Sequence, residues 1–236
     1  MNKGVLFLLP TTLGDSNPES VFPIILKQTI QKLTYFIVEN EKTARKFIKL
    51  MCPECKQSEL TIFQLDKHDK ASGLQAFMQP LLEGKDVGLL SEAGLPTIAD
   101  PGSLVVALAH KKQVRVKPLV GPSSLLLALM GSGLNGQNFA FHGYLPKESS
   151  DLKRKLKQLE QISMRDHSAH LFIETPYRNH KLFDVLTKIL HPETLLTLAT
   201  DLTLPTESVK TLPVSKWKKQ NVDLHKRPTV FIFQAC

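Results

Sequence analysis

The sequence predicts an α/β protein made of two domains, each containing a sheet packed against helices. Three observations lead to this prediction. Short apolar runs of strand length alternate with longer segments whose apolar residues recur at helical spacing. The 236 residues are enough for two small domains with their own cores. Glycine and proline interrupt the alternation most strongly at Pro118–Pro122, which we take as the domain boundary, giving domains 1–118 and 119–236.

The first half has the pattern of strands that alternate with helices. The predicted strands are Gly4–Leu9, Tyr35–Val38, Thr61–Leu65, Val87–Leu90 and Val114–Leu119. The predicted helices are Pro18–Leu33, Lys42–Leu50, Gly73–Leu82 and Ser103–Lys111. Pro18 suits the first turn of a helix, where no amide hydrogen is needed. This strand–helix order predicts a mainly parallel sheet with helices on both faces.

The second half begins where Gly121 and Pro122 end the fifth strand. Ser123 or Ser124 can cap a helix that continues to Met130. The later segments are predicted strands Phe139–Leu145, His170–Glu174, Leu195–Thr200 and Thr229–Phe233, and predicted helices Ser149–Ile162 and Tyr177–Ile189. A hairpin-like stretch precedes the last strand. We expect a mixed sheet in this domain.

The charge balance favours a polyanionic partner. The formal net charge is +8, and many cations cluster in the second half. Lys153, Arg154 and Lys157 share one predicted helix, and a second basic run lies at 216–227. A pair of solvated faces explains these clusters about as well as a phosphate-binding surface.

Two compositional features limit the protein class. No apolar run is long enough to cross a membrane. Three cysteines argue against a disulfide framework, so we interpret Cys52 and Cys55 as an incidental loop pair in a cytoplasmic protein, and we expect no metal site.

The loop "SEAGLPTIADPG" follows the predicted strand Val87–Leu90. Pro96 and Pro101 cannot continue the strand, because proline lacks the amide that a sheet requires. Gly94 and Gly102 indicate tight turns or close approach to another group. Ligands bind at the carboxyl ends of strands in open α/β sheets, so this loop is a candidate binding site. It matches neither glycine-rich phosphate motif, which argues against a pyrophosphate ligand.

This loop resembles the central motif of the tetrapyrrole methylase superfamily. Its closest branch there is the ribosomal small-subunit RNA 2′-O-methyltransferases, whose loop typically reads S-D-A-G-T-P-x-I-S-D-P-G. Glu92, Leu95 and Ala99 depart from that pattern. The resemblance extends in order through "LLPTTLGD", "VKPLVGPSSLLLALMGSGL", "FAFHGYLPKESSDLKRKL" and "FIETPYRNHKLFDVL". The branch usually has E-D-T-R after the second strand, where this chain has "VENEKTARKF".

The resemblance implies a class III methyltransferase with the cofactor S-adenosylmethionine in a cleft between two α/β domains. The cofactor-binding residues that it implies are Pro10, Gly94, Leu95, Ile98, Ser123, Ser124, Thr175, Pro228 and Thr229. Longer members carry an additional C-terminal helical segment, which we expect this chain to lack. Members are commonly homodimers, so we expect a homodimer, with Leu126, Leu129 and Met130 as a candidate contact.

The implied reaction is methylation of a ribose 2′-hydroxyl in small-subunit ribosomal RNA. Glu92 is our candidate general base, because it lies inside the cofactor loop. The candidate RNA-binding residues are Arg45, Lys147, Lys153, Arg154 and Lys157. Two alternatives stay open: a methyltransferase acting on a tetrapyrrole-like small molecule, and a non-catalytic module that binds cofactor and RNA.

Overall fold

The computed structural model describes residues 2–65 and 73–235, and the chain divides into two compact units between Ser123 and Ser124. The boundary that the sequence suggests, after Pro118, lies in the same connection between the last strand of the first unit and the first helix of the second. Each unit contains one five-stranded sheet.

The first sheet is entirely parallel, as predicted. Its strands are β1 (Val5–Leu9), β2 (Tyr35–Val38), β3 (Thr61–Gln64), β4 (Val87–Leu90) and β5 (Arg115–Pro118). They lie in the order β3-β2-β4-β1-β5. Leu8 of β1 pairs with Leu89 of β4 on one side and with Pro118 of β5 on the other. The carboxyl ends of β1, β2 and β4 therefore meet at one edge of the sheet.

Helices cover both faces of this sheet. They are α1 (Pro18–Val21), α2 (Ile24–Ile30), α3 (Glu41–Met51), α4 (Leu74–Leu82) and α5 (Ser103–Lys111). Successive residues of β2 separate the two faces, since Phe36 and Val38 pack in the core under α2 and α3, whereas Ile37 packs in the core under α4 and α5. A sheet buried on both faces explains why β4 is apolar along its whole length.

The prediction of one helix over Pro18–Leu33 was wrong, because Pro23 divides it. Phe22 adopts an extended conformation with φ of −115° and ψ of 137°. The residue before a proline disfavours the helical region, and this restriction ends α1 at Val21. Pro23 then occupies the N-cap position of α2.

The second sheet is mixed, as expected. Its strands are β6 (Phe139–Tyr144), β7 (Ala169–Ile173), β8 (Leu195–Thr200), β9 (Ser208–Pro213) and β10 (Thr229–Gln234), in the order β6-β7-β10-β8-β9. Only the β6–β7 pair is parallel among the described strand pairs of this sheet. Its helices are α6 (Ser124–Ser132), α7 (Ser149–Asp166), α8 (Asn179–Ile189) and α9 (Val214–Trp217).

The short helix α9 was not predicted, yet it supplies part of the second core. Trp217 is buried, makes an edge contact with Phe183, and donates its indole N–H to the Leu196 carbonyl at 2.7 Å. Four residues are too few for helical periodicity to be recognised in a sequence.

Cys52 and Cys55 form a disulfide, so the interpretation of an incidental pair was wrong. The bond closes a turn at the end of α3, where Cys52 is buried in the core. Across residues 2–65 and 73–235, no group of three or more metal-ligating side chains occurs. In the same ranges, no helix is long and apolar enough to span a membrane.

Candidate active site

The loop after β4 is fastened to the end of β1. Thr11 and Gly94 exchange two backbone hydrogen bonds, with the Thr11 N–H 2.9 Å from the Gly94 oxygen and the Gly94 N–H 3.2 Å from the Thr11 oxygen. The Ser91 hydroxyl donates to the same Gly94 oxygen at 2.6 Å. Gly94 therefore uses its backbone to fix the loop against the end of β1.

Only glycine suits position 94. Its φ is +75°, and an added Cβ would lie 3.0 Å from a Leu13 methyl and 3.3 Å from the Pro122 oxygen. Pro10, which ends β1, is packed in a similar way against Gly121, where a Cβ would lie 2.3 Å from the proline ring. At Gly94 and at Gly121 the backbone thus lies so close to neighbouring residues that a side chain would clash with them.

The second part of the loop carries strain and exposed apolar surface. Thr97 and Ala99 have φ values of 72° and 59°, and a left-handed conformation is costly for a β-branched residue such as threonine. Leu95 is half-buried, and Ile98 is 48% exposed. The loop therefore presents an apolar surface in a fixed position, which suits an adenine or thioether contact.

Asp100 and Glu39 form a carboxyl pair at the ends of β4 and β2. Burial is the main cause that raises the pKa of Asp100 to about 7, and the hydrogen bond and charge of Glu39 raise it further. The Gly102 N–H donates to Asp100 Oδ1 at 3.1 Å and opposes that shift. The hydrogen bond between these two carboxyl groups ties the end of β2 to the loop.

A cavity of about 240 Å³ lies at the carboxyl ends of β1 and β4, beside the start of α3. Glu92 lines it, and the Thr43 hydroxyl donates to Glu92 Oε1 at 2.8 Å. Asn40 places Thr43 there, because its side chain caps α3 through the Lys42 and Thr43 amides. Its remaining walls combine hydroxyls, one lysine, one aspartate and apolar groups, including Thr11, Thr12, Ser91, Lys46, Asp15, Phe47 and Leu50.

In the second unit, three of the predicted cofactor residues share one end of the sheet. Thr175 follows β7, and Pro228 and Thr229 open the antiparallel neighbour β10, with Val230 opposite Ile173. Thr229 is buried and donates its hydroxyl to the Arg227 carbonyl at 3.0 Å. Ser124 begins α6 and Ser123 precedes it, so these two serines lie at the division between the units.

Asn179 lies at the same end of this sheet and was missed from the sequence. It is fully buried, and its Nδ2 donates to the Arg227 carbonyl at 2.7 Å. No donor within the described parts of the chain reaches its Oδ1. A buried acceptor without a partner is costly, so Asn179 is a strained polar group in the interior of this unit.

The predicted basic face of α7 is present. Leu152, Leu156 and Leu159 are buried in the core, and Lys153 and Lys157 point outward. Arg154 is exposed too, although it pairs with Asp151 at 2.8 Å. Lys147 is exposed just before the helix.

Arg45, a predicted RNA-binding residue, has two partners within the first unit. Its guanidinium pairs with Glu41 at 2.7 Å and donates to the Gln57 carbonyl at 2.7 Å, so it holds α3 against the following turn. The cation that faces the cavity is its neighbour, Lys46.

A histidine pair lies between β6 and β7. His142 Nε2 and His170 Nδ1 are 2.8 Å apart, and the Ser168 hydroxyl is 3.2 Å from His170 Nε2. Burial, followed by the charge of His142, lowers the pKa of His170 to about 4. Burial also lowers the pKa of His142, so both rings are mainly neutral at pH 7, and one ring donates its N–H to the other.

Comparison with known proteins places this geometry in a family context. No protein-family model matches the chain. It is 27% identical over 212 residues to the ribosomal RNA small subunit methyltransferase I of Vibrio cholerae, covering 90% of this chain and 69% of that protein. The Bacillus subtilis protein of the same name is 30% identical over 187 residues, covering 79% of this chain and 60% of its own length. The chain is therefore similar in sequence to these two methyltransferases over most of its own length.

Solved structures confirm the predicted α/β fold class. The methyltransferase CobJ matches with a TM-score of 0.65 at 15% identity, over 99% of this chain and 95% of that chain. Diphthine synthase matches with a TM-score of 0.67 at 13% identity, over 98% and 90%. The chain therefore has the fold of these two proteins.

Proposed function

We propose that this protein is an S-adenosylmethionine-dependent methyltransferase that modifies a ribose 2′-hydroxyl of small-subunit ribosomal RNA. The observation that carries this proposal is the similarity to ribosomal RNA small subunit methyltransferase I over 79–90% of the chain. The net charge of +8 supports an RNA partner. The activity belongs in the cytoplasm, where ribosomal subunits are made.

The residues present fit S-adenosylmethionine. Leu95 and Ile98 offer fixed apolar surface, and Gly94 and Pro10 allow close backbone approach. In the second unit, Thr175, Pro228 and Thr229 are the proposed contacts to the adenine, because they share one end of the sheet. Ser123 and Ser124 are the proposed contacts to the ribose or the methionine part. The bound cofactor supplies a methyl group on a sulfonium, which is a strong electrophile.

Glu92 is the proposed general base. A ribose hydroxyl is a weak nucleophile, so its oxygen needs to lose a proton as it bonds to the methyl carbon. The Glu92 carboxylate lines the cavity with one oxygen held by Thr43, which leaves the other oxygen to accept that proton. The protein's main contribution is to hold the two reacting atoms in line at about 3 Å.

RNA binds along the exposed cations of α7 in this proposal. Lys153, Arg154 and Lys157 form an outward face on a helix anchored by its leucines, and Lys147 extends that face. We also propose a homodimer that contacts through α6, where Leu126 and Met130 are exposed while Leu129 packs in the core. Light scattering at micromolar concentration tests the dimer by its mass.

Methyl transfer to RNA distinguishes this proposal from the two alternatives. Incubation with labelled S-adenosylmethionine should transfer label to deproteinised small-subunit RNA. A tetrapyrrole-like acceptor would instead take the label, and RNA affinity would then be weak and nearly independent of salt. A non-catalytic module would bind cofactor and RNA and transfer no label to either.

A further inference from the structure

We propose that the cavity beside Thr43 and Glu92 holds a single nucleotide of the RNA acceptor. In this arrangement the sugar hydroxyl faces Glu92 and the phosphate faces Lys46. The inference rests on the proposed function, because it assigns the acceptor to one side of the same site.

The walls of the cavity match the chemistry of a nucleotide. Its polar lining includes the Thr11 and Ser91 hydroxyls, which lie 3.3 Å apart, the Glu92 carboxylate held by Thr43, and the ion pair of Asp15 with Lys46. Its apolar lining includes Phe47 and Leu50, and Leu50 is 54% exposed in spite of its size. A nucleotide likewise has a sugar that needs hydrogen bonds and a base whose face needs an apolar surface.

Lys46 is available for a phosphate. Its Nζ lies 3.9 Å from Asp15, at the limit of an ion pair, and both side chains are largely exposed. Exposed pairs of this kind contribute little to stability, so Lys46 can turn to a phosphate at small cost. Neighbouring Arg45 cannot do so, since it is held by Glu41 and Gln57.

The cavity is distinct from the apolar surface proposed for the cofactor. Ser91, Glu92 and Ala93 line the cavity, whereas Leu95 and Ile98 do not. The backbone bridge between Thr11 and Gly94 falls between these two parts of the loop. Glu92 is therefore on the acceptor side of the loop, where a base for the acceptor hydroxyl must lie.

Thr43 is a positioning residue in this arrangement. Its hydroxyl lies 2.8 Å from Glu92 Oε1 and 3.1 Å from the Asn40 carbonyl, so it orients the carboxylate from the capped end of α3. Thr43→Val keeps the shape and removes the hydroxyl, and Thr43→Ser keeps the hydroxyl. We expect Thr43→Val to lower kcat about 10- to 100-fold with little change in KM for RNA, and Thr43→Ser to retain most of the activity.

The test compares Lys46→Gln with Lys49→Gln, an equally exposed lysine on the same helix that does not line the cavity. Binding to small-subunit ribosomal RNA is measured against salt, and binding of S-adenosylhomocysteine by calorimetry. Lys46→Gln should weaken RNA binding and reduce the slope of log affinity against log salt by about 0.7, the value for one phosphate of a single strand. Lys49→Gln should leave both unchanged, and cofactor affinity should be the same in all variants.

Two results would overturn the inference. Equal effects of Lys46→Gln and Lys49→Gln on RNA binding would show that Lys46 contributes only as part of the general surface charge and not at a defined phosphate site. Loss of S-adenosylhomocysteine affinity in Lys46→Gln or Thr43→Val would assign the cavity to the cofactor. Absence of methyl transfer by the wild-type protein would refute the proposed function instead, and the RNA-binding comparison would still decide what the cavity holds.

Discussion

Replacing Asp100 with asparagine should stabilise the protein at alkaline pH and much less so at acidic pH. Asp100 is mostly buried beside Glu39, and its pKa is raised from its ordinary value of 3.8 to about 7. The native state therefore holds a proton that the unfolded state releases. Stability contributed by this proton is complete below pH 4 and is lost as the pH rises to 7. Asparagine is neutral at every pH and avoids that loss.

The size of the effect follows from the pKa values. A pKa of about 7 in place of 3.8 corresponds to about 4 kcal/mol of unfolding free energy if the whole shift applied to one buried group. Asp100 is only partly buried, so solvent screening reduces that figure. We therefore expect Asp100→Asn to raise the unfolding free energy by about 1–2 kcal/mol more at pH 8 than at pH 5.

The assay needs a probe in the first unit. The single tryptophan, Trp217, lies in the second unit, so its fluorescence reports on the wrong part of the chain. Hydrogen exchange of peptides from β1 and β4, measured against urea at both pH values, reports on the correct part. Glu19→Gln, an exposed carboxylate of the same unit, is the control and should give equal changes at both pH values. A stabilisation by Asp100→Asn that is equal at pH 5 and pH 8 would refute the reasoning.

Three other predictions follow from local geometry. Gly94→Val should abolish S-adenosylmethionine binding in calorimetry, because φ is +75° and the new side chain meets Leu13. Circular dichroism should still show a folded protein, and an unchanged affinity would contradict the role of the loop. Replacing Lys153, Arg154 and Lys157 with glutamine should reduce the RNA salt slope by about 2 in single-stranded regions and leave cofactor affinity unchanged, and an unaltered slope would make this a solvated face. Because the pKa of His170 is about 4 in the folded protein, the unfolded state is protonated first, and the second unit loses stability as the pH falls from 6.5 towards 4. Trp217 fluorescence during unfolding should show this loss, and His170→Gln should lessen it.

Local sequence patterns predicted most elements of the fold. The bounds of β2, β4, α5 and β8 agree with the prediction residue for residue, because each is a continuous apolar or helical run between turn residues. The helix break at Pro23 was missed, although the restriction that proline places on Phe22 was available in the sequence. The short helix α9 gave no periodic signal.

The candidate site was less predictable, because it is made by distant segments. Glu92 and Gly94 could be named from one loop, but the Thr43 hydroxyl that orients Glu92 comes from a helix 49 positions earlier. The difference between Arg45 and Lys46 depends on which side of α3 each cation occupies and on the partners it meets there. The unsatisfied oxygen of Asn179 is a property of burial, which no spacing of residues indicates.

Transfer of a labelled methyl group to RNA tests the central proposal most directly. The wild-type protein is incubated with labelled S-adenosylmethionine and deproteinised small-subunit RNA, and the RNA is then hydrolysed in alkali. A methylated 2′-hydroxyl cannot attack the adjacent phosphate, so the account predicts that label is recovered in an alkali-resistant dinucleotide. It also predicts that Glu92→Gln lowers this transfer by about 100-fold or more without loss of S-adenosylhomocysteine binding. The account would be contradicted if the label were recovered only in mononucleotides, or if a protein that binds both cofactor and RNA transferred no label.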